Sequence, residues 1–175
     1  MTRSVLWASF LIVAISGIGQ RAEAQQFQYA AKFVIGKPTS DVAAKGQYFT
    51  AINVHNPGAT TTKPAISKRF AIAMPKETPG QGFGPFTVTL GKGQAMEIDT
   101  GDIYAHTRTA SGTFLKGFVI ITSNVELDVV GVYTASGSTG QVETLYMERV
   151  PFRRLAGTVR AAPDAAPGTA PATPD

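Results

Sequence analysis

Residues 113–135, TFLKGFVIITSNVELDVVGVYTA, decide the fold class of this chain. Most of them are β-branched or aromatic, the types that suit the packed surface of a pleated sheet. Ser123 and Asn124 interrupt the run with side chains that bond to their own backbone and favour turns. The apolar residues show no 3.6-residue period, so strands are favoured over an amphipathic helix. We therefore predict two strands that pair as a hairpin around Ser123-Asn124.

Both strands of this predicted hairpin are apolar on their two faces. Such strands are normally covered on both sides, so we expect both faces to be buried in the centre of a sheet. Gly117 and Gly131 fall inside the strands. A glycine there marks a bulge or the close approach of a neighbouring ring.

The rest of the chain repeats short strand patterns between turn residues. Further strands are predicted at residues 27–35, 46–56, 65–74, 86–90, 94–98 and 141–150. Residues 75–85, rich in Pro and Gly, predict a surface loop, and residues 99–106 one helical turn capped by Asp99 or Thr100. Roughly eight short strands without helical crossovers predict an all-β fold, a single antiparallel β-sandwich with immunoglobulin-like or jelly-roll topology.

The two ends of the chain differ from this domain. Residues 1–24 have an apolar segment and end in Ala22-Glu23-Ala24, the pattern of a cleaved secretory signal. Residues 156–175 are almost all Ala, Pro, Thr and Gly, a composition typical of disorder. We therefore predict a signal peptide at 1–24, a β-sandwich domain at 25–155 and a disordered tail at 156–175.

Charge and cysteine content limit the setting of the protein. Loss of residues 1–24 lowers the net charge from +4 to +3, a mild excess that does not indicate nucleic-acid binding. The chain has no cysteine, and disulfide-free exported domains are typical of bacteria. We expect a periplasmic or extracellular bacterial protein after cleavage at Ala24, with no transmembrane span in the mature chain.

The residues that commonly carry catalysis form no recognisable site. His55 and His106 are the two histidines, and a shared metal site with Asp99 and Asp102 has no support from spacing. Residues 97–102 resemble a calcium loop but lack its regular ligand spacing and closing glutamate. There is no G-x-S-x-G motif, and no helix follows the glycine-rich residues 80–84. We expect no enzymatic activity, no metal and no cofactor; a small hydrolase or metal enzyme is the disfavoured alternative.

One strand carries polar residues that suggest a binding surface. In residues 46–56, Tyr48, Thr50, Ile52 and Val54 share one face, which suits the core. Asn53 and His55 lie on the other face, where an aromatic and amide strip is a speculative ligand-binding site for a sugar or peptide. Residues 75–85 are a second candidate, and ordinary sheet surface is the simpler interpretation.

Four segments, YAAKFVIG (29–36), YFTAINVHNPG (48–58), FLKGFVIITSNVELDVVGVYTA (114–135) and MERVPFR (147–153), resemble a family of small exported bacterial proteins without an assigned activity. The resemblance implies an exported bacterial domain and no functional residues. We therefore expect a non-enzymatic protein with a structural or binding role in the envelope or extracellular space, its partner an envelope protein or a glycan. A carbohydrate- or small-ligand-binding module is the alternative.

Overall fold

A computed structural model of the chain describes residues 26–58, 63–137 and 141–155. The predicted signal peptide and the predicted tail lie outside these residues. Nine strands and one helix occur within them, in chain order β1 (Gln26–Ile35), β2 (Gln47–His55), β3 (Ala65–Ile72), β4 (Gly82–Thr89), β5 (Ala95–Ile98), α1 (Thr100–Thr107), β6 (Leu115–Ser123), β7 (Asp128–Ser136), β8 (Val142–Arg149) and β9 (Phe152–Leu155).

The strands form two antiparallel sheets, which confirms the predicted all-β sandwich-like fold. Sheet A has the order β4-β3-β6-β1-β9, and sheet B has the order β5-β2-β7-β8. Large apolar side chains from both sheets fill the core between them, among them Phe33, Ile52, Phe70, Val119 and Val129, all fully buried. No helix in the described parts of the chain is long and apolar enough to cross a membrane.

The predicted hairpin of β6 and β7 is wrong, because the two strands belong to different sheets. β6 pairs with β1 and β3 in sheet A, whereas β7 pairs with β2 and β8 in sheet B. Residues 124–127 carry the chain from one sheet to the other. Four extended residues span roughly 13 Å, enough to bridge the roughly 10 Å between packed sheets. Each strand is nevertheless an inner strand of its own sheet.

The buried tyrosine of β1 holds this crossing in place. The hydroxyl of Tyr29 donates to the carbonyl oxygen of Leu127 at 2.9 Å and accepts from the Leu127 amide at 2.6 Å. Ser123 Oγ accepts from the amide of Val125 at 3.2 Å at the start of the crossing. A buried backbone amide and carbonyl must find partners, so Tyr29 satisfies both groups where no strand can.

The expectation that β6 is buried on both faces is also wrong. Val119 and Ile121 are fully buried, but Phe118 on the opposite face is 40% exposed. Lys32 Nζ lies 5.3 Å from the centroid of the Phe118 ring and partly covers it. The two strand glycines do mark close rings, because a Cβ on Gly117 would meet Phe33 and one on Gly131 would meet Tyr133.

Two strand assignments differ from prediction near proline. β4 begins at Gly82, inside the predicted 75–85 loop, and includes Pro85. Proline is tolerated on an edge strand, where its missing amide has no ladder partner, and β4 is the edge of sheet A. β9 follows Pro151 and pairs with the first residues of β1, a short edge strand that was not predicted.

The helical turn was predicted, and α1 is capped by Asp99.

Candidate functional site

Asn53 and His55 lie on the outward face of β2, as their alternation with core residues predicts. Both are half-buried, and they alternate with the buried Ile52 and Val54. In sheet B, Asn53 lies opposite Val130 of β7. Neither residue lines the cavities described for this part of the chain. Their role in ligand binding stays a prediction.

His55 joins a small charged cluster with side chains of β7 and β8. His55 Nδ1 lies 3.3 Å from Asp128 Oδ2, and Arg149 Nη2 donates to Asp128 Oδ1 at 2.9 Å. All three groups are substantially exposed, so these pairs contribute little to stability. A His–Asp pair can orient a general base, but that chemistry needs an adjacent nucleophile. The flanking outward residues Ala95 and Val130 carry no hydroxyl or thiol.

His106 occupies a different environment, on α1 against sheet A. Its ring stacks on Phe86 with centroids 4.3 Å apart and packs against Phe70 at 4.9 Å. Burial lowers the pKa of His106 below its usual 6.5, and the charge of Lys68 lowers that pKa further, whereas Asp102 acts in the opposite direction. The neutral imidazole packs against both phenylalanine rings at the edge of the core, so it contributes to the fold.

The four residues considered for a shared metal site are not gathered. Asp99 Oδ1 accepts from the amide of Asp102 at 2.8 Å, and Asp102 Oδ2 accepts from the amide of Asp99 at 3.2 Å. This is a capping box that satisfies free amides at the start of α1. Among the described residues, no three His, Asp or Glu side chains converge as a metal site would require. Asp99 and Asp102 of the calcium-like segment therefore cap the helix.

An open cavity with several aromatic side chains lies where β1 meets β2, β7 and β8. Gly36 and Tyr48 exchange backbone hydrogen bonds of 2.9 and 3.0 Å, and Thr50 Oγ1 bonds to both the amide and the carbonyl of Val34. The cavity has a volume of about 350 Å³ and largely apolar walls. We call it the tyrosine cavity; its aromatic and charged lining residues are Lys32, Tyr48, Phe49, Tyr133, Tyr146 and Glu148.

Strand alternation explains why β7 and β8 both contribute to this cavity. In their register Tyr133 lies opposite Tyr146, and Gly131 opposite Glu148, so these residues share one face of sheet B. The two tyrosine rings are nearly parallel, with centroids 6.2 Å apart and an interplanar angle of 24°. Because Gly131 has no side chain, the Tyr133 ring lies over it.

A hydrogen bond links one tyrosine of the cavity, Tyr133, to the carboxylate of Glu148. The Tyr133 hydroxyl donates to Glu148 Oε1 at 2.8 Å. Burial raises the pKa of Tyr133 well above its usual 10.0, and the hydrogen bond and charge of Glu148 raise it further. Tyr133 therefore stays protonated at neutral pH and keeps one carboxylate oxygen occupied.

The outer strand of sheet B is a second unusual feature. Among the described strands, β7 is the neighbour of β8, so the other edge of β8 has no strand beside it. Four of its apolar side chains are between 58 and 66% exposed: Val142, Leu145, Tyr146 and Met147. Tyr146 points to the cavity face, and Leu145 and Met147 point to the outward face.

Comparison with known proteins gives a structural likeness alone. No protein-family model matches the chain, and no curated protein matches it. A crystal structure of Thermotoga maritima 1070 is similar, with a TM-score of 0.46 and 11% sequence identity; the alignment covers 74% of this chain and 95% of that one.

The tyrosine cavity was missed by sequence reasoning. The strand at residues 141–150 was predicted, but its alternating Thr144, Tyr146 and Glu148 were not considered as one face. Their spacing of two residues was the signal in the sequence that they lie on one face of a strand. The remaining walls come from β1, β2 and β7, whose arrangement around β8 depends on tertiary structure.

Proposed function

We propose that this chain is an exported, non-enzymatic protein that acts in the bacterial envelope or extracellular space by association through β8. The secretion pattern of residues 1–24 supports export, and the absence of cysteine suits a bacterial setting. One observation carries the association: among the described strands β8 pairs only with β7, and its apolar side chains are exposed. This role corresponds to the structural or binding function expected from the sequence.

The edge of β8 is regular and unprotected over most of its length. Natural edges are commonly protected by lysine, proline, bulges or very short length. β8 is eight residues long, VETLYMER, contains neither lysine nor proline, and has a register shift against β7 only near its start, between Val142 and Thr144. From Thr144 onward, its exposed apolar side chains and the backbone groups that have no partner among the described strands are the features that allow a second strand to be added to a sheet.

A second copy of β8 is the partner that matches this strand best. Antiparallel pairing with Tyr146 on the two-fold axis places Leu145 opposite Met147 of the second copy. A shift of one residue would bring outward side chains against inward ones, which disfavours it.

We expect this association to be weak and dependent on concentration. A single strand buries less than the roughly 800 Å² per partner of a standard stable interface. Analytical ultracentrifugation of the purified chain over a concentration series should show a monomer–dimer equilibrium. Met147→Lys should shift it to monomer, and Met74→Lys, at another exposed methionine, should leave it unchanged. A monomer at all concentrations, or a dimer unaffected by Met147→Lys, would contradict the proposal.

The register can be tested by disulfide trapping because the chain has no native cysteine. Opposite residues of an antiparallel pair lie roughly 4.5–5.5 Å apart at Cα, within disulfide reach. Tyr146→Cys should therefore form a covalent dimer on mild oxidation. Met74→Cys is the control for random collision. Equal cross-linking of both variants would exclude pairing around Tyr146.

A further inference from the structure

The tyrosine cavity has the size and walls of a small-molecule site. Its volume of about 350 Å³ falls within the roughly 300–1,000 Å³ typical of ligand pockets. Its walls are largely apolar, because little of the polar surface of the lining residues faces the cavity. A sugar needs several hydrogen-bonding groups around its hydroxyls, so this lining favours a compact apolar ligand.

The aromatic rings add a preference for positive charge. Tyr48, Phe49, Tyr133 and Tyr146 all line the cavity. The face of an aromatic ring is electronegative, so several rings around one space attract a cation within roughly 6 Å of their centroids. The near-parallel pair of Tyr133 and Tyr146 forms one such wall.

The two charged residues of the lining are not equivalent. Glu148 is half-buried, and its Oε1 accepts from Tyr133. The ammonium of Lys32 lies over Phe118, a ring that does not line the cavity. The lining therefore carries one charge of each sign: the carboxylate lies on the tyrosine wall, and the ammonium lies over Phe118 on the side of sheet A.

From this arrangement we propose that the tyrosine cavity binds a small hydrophobic organic cation, an amine or quaternary ammonium group carrying apolar substituents. The rings contact the apolar and charged surface of the ligand, and Glu148 supplies the counter-charge. The proposal concerns the face of β8 that carries Thr144, Tyr146 and Glu148, whereas the proposed association uses the edge of that strand and the outward side chains of Leu145 and Met147. It also differs in location from the outward site predicted at Asn53 and His55.

Isothermal titration calorimetry with choline and phenyltrimethylammonium tests the inference. Both should bind saturably with a stoichiometry of one per chain. The neutral choline isostere 3,3-dimethylbutanol should bind about tenfold more weakly, because it lacks the charge that rings and carboxylate attract. Benzoate, a planar anion, should not bind. Equal binding of choline and its neutral isostere, saturable binding of a sugar instead, or no binding of either cation would overturn the proposal.

Matched variants assign the charge to one residue. Glu148→Gln keeps the size and the acceptor for Tyr133 but removes the charge, and it should weaken cation binding about tenfold. Glu143→Gln, at an exposed carboxylate of the same strand that does not line the cavity, should bind as the parent chain does. If the two variants bind equally well, the cavity carboxylate does not recognise the cation.

Two further variants separate binding from folding and from association. Phe49→Leu keeps an apolar side chain and removes one ring of the lining, so it should weaken cation binding while thermal unfolding stays cooperative. Met147→Lys lies on the outward face and should retain parental affinity for the cation while losing dimerisation. Loss of cation binding in Met147→Lys would contradict the placement of the ligand in the tyrosine cavity.

Discussion

At the scale of single residues, Tyr29 shows how one side chain can fix a connection between sheets. Its ring belongs to the core of β1, and its hydroxyl bonds to both backbone groups of Leu127. The two residues are 98 positions apart in the chain. The contact therefore joins the first strand to the crossing between β6 and β7.

Tyr29→Phe should destabilise the protein although it keeps the ring. Loss of the hydroxyl leaves the buried amide and carbonyl of Leu127 without their partner, which costs about 1–3 kcal/mol. Urea unfolding should show this as a lower midpoint with an unchanged slope. The control is Tyr48→Phe, whose hydroxyl bonds to Ala44 on the exposed surface. Equal losses in the two variants would contradict a specific role for Tyr29.

Gly117→Ala tests the close packing inside β6. A methyl group there would collide with the Phe33 ring and the carbonyl of Ala71, and both belong to packed strands. Such overpacking costs about 1–3 kcal/mol. Gly82→Ala is the control, because a methyl on that edge strand meets its nearest neighbour at 3.9 Å. Thermal unfolding compares the two, and a neutral Gly117→Ala would show that β1 and β3 can shift within sheet A to accept it.

At the scale of elements, α1 attaches to sheet A through His106. The helix begins with a capping box and ends at Arg108, whose positive φ of 56° closes it. The imidazole at its last turn packs against both Phe70 and Phe86, which also contact each other. The helix therefore depends on a neutral ring at its contact with the strands.

The stability of the protein should consequently fall on mild acidification. Because the folded-state pKa of His106 is lowered, the unfolded chain binds more protons once the pH falls through 6.5. The free energy of unfolding should decrease from there until the folded-state pKa is passed, and then level off. Urea unfolding at a series of pH values measures this. His106→Phe, which keeps the aromatic packing, should remove this component, whereas His55→Asn should retain it.

The strand pattern was predicted from local sequence to within a few residues at most boundaries. β1, β2 and β5 each differ from prediction by one residue at one or both ends. The partners of β6 could not be predicted from local sequence. A run of β-branched residues shows that a segment is extended, but it does not show which strand that segment pairs with. A turn-forming Ser123-Asn124 suits a hairpin and a crossing equally well.

At the scale of the whole molecule, the order of strands in the sheets determines which backbone groups are protected. β6 has bonded neighbours on both sides in sheet A. β8 is bonded on one side among the described strands. Protection from solvent should therefore be highest at the centre of sheet A and lowest at the outer edge of sheet B.

Hydrogen exchange should reproduce this order. Amides of β6 should exchange through global unfolding, and those of β8 through local opening at far lower free energy. Exchange in β8 should slow as protein concentration rises, because a second copy would cover that edge. Mass spectrometry of peptides from β6 and β8 measures both effects. Slow, concentration-independent exchange in β8 of the Met147→Lys variant would contradict the expected order.

The sequence by itself determined the all-β class, the positions of most strands, the helical segment at α1 and the outward orientation of Asn53 and His55. These features depend on neighbours along the chain, where alternation and turn residues act directly. Tertiary structure decided that β6 and β7 lie in different sheets and that β8 forms an edge. It also decided that residues of four strands line the tyrosine cavity. Those outcomes depend on contacts between residues far apart in the chain, selected by packing of the whole core.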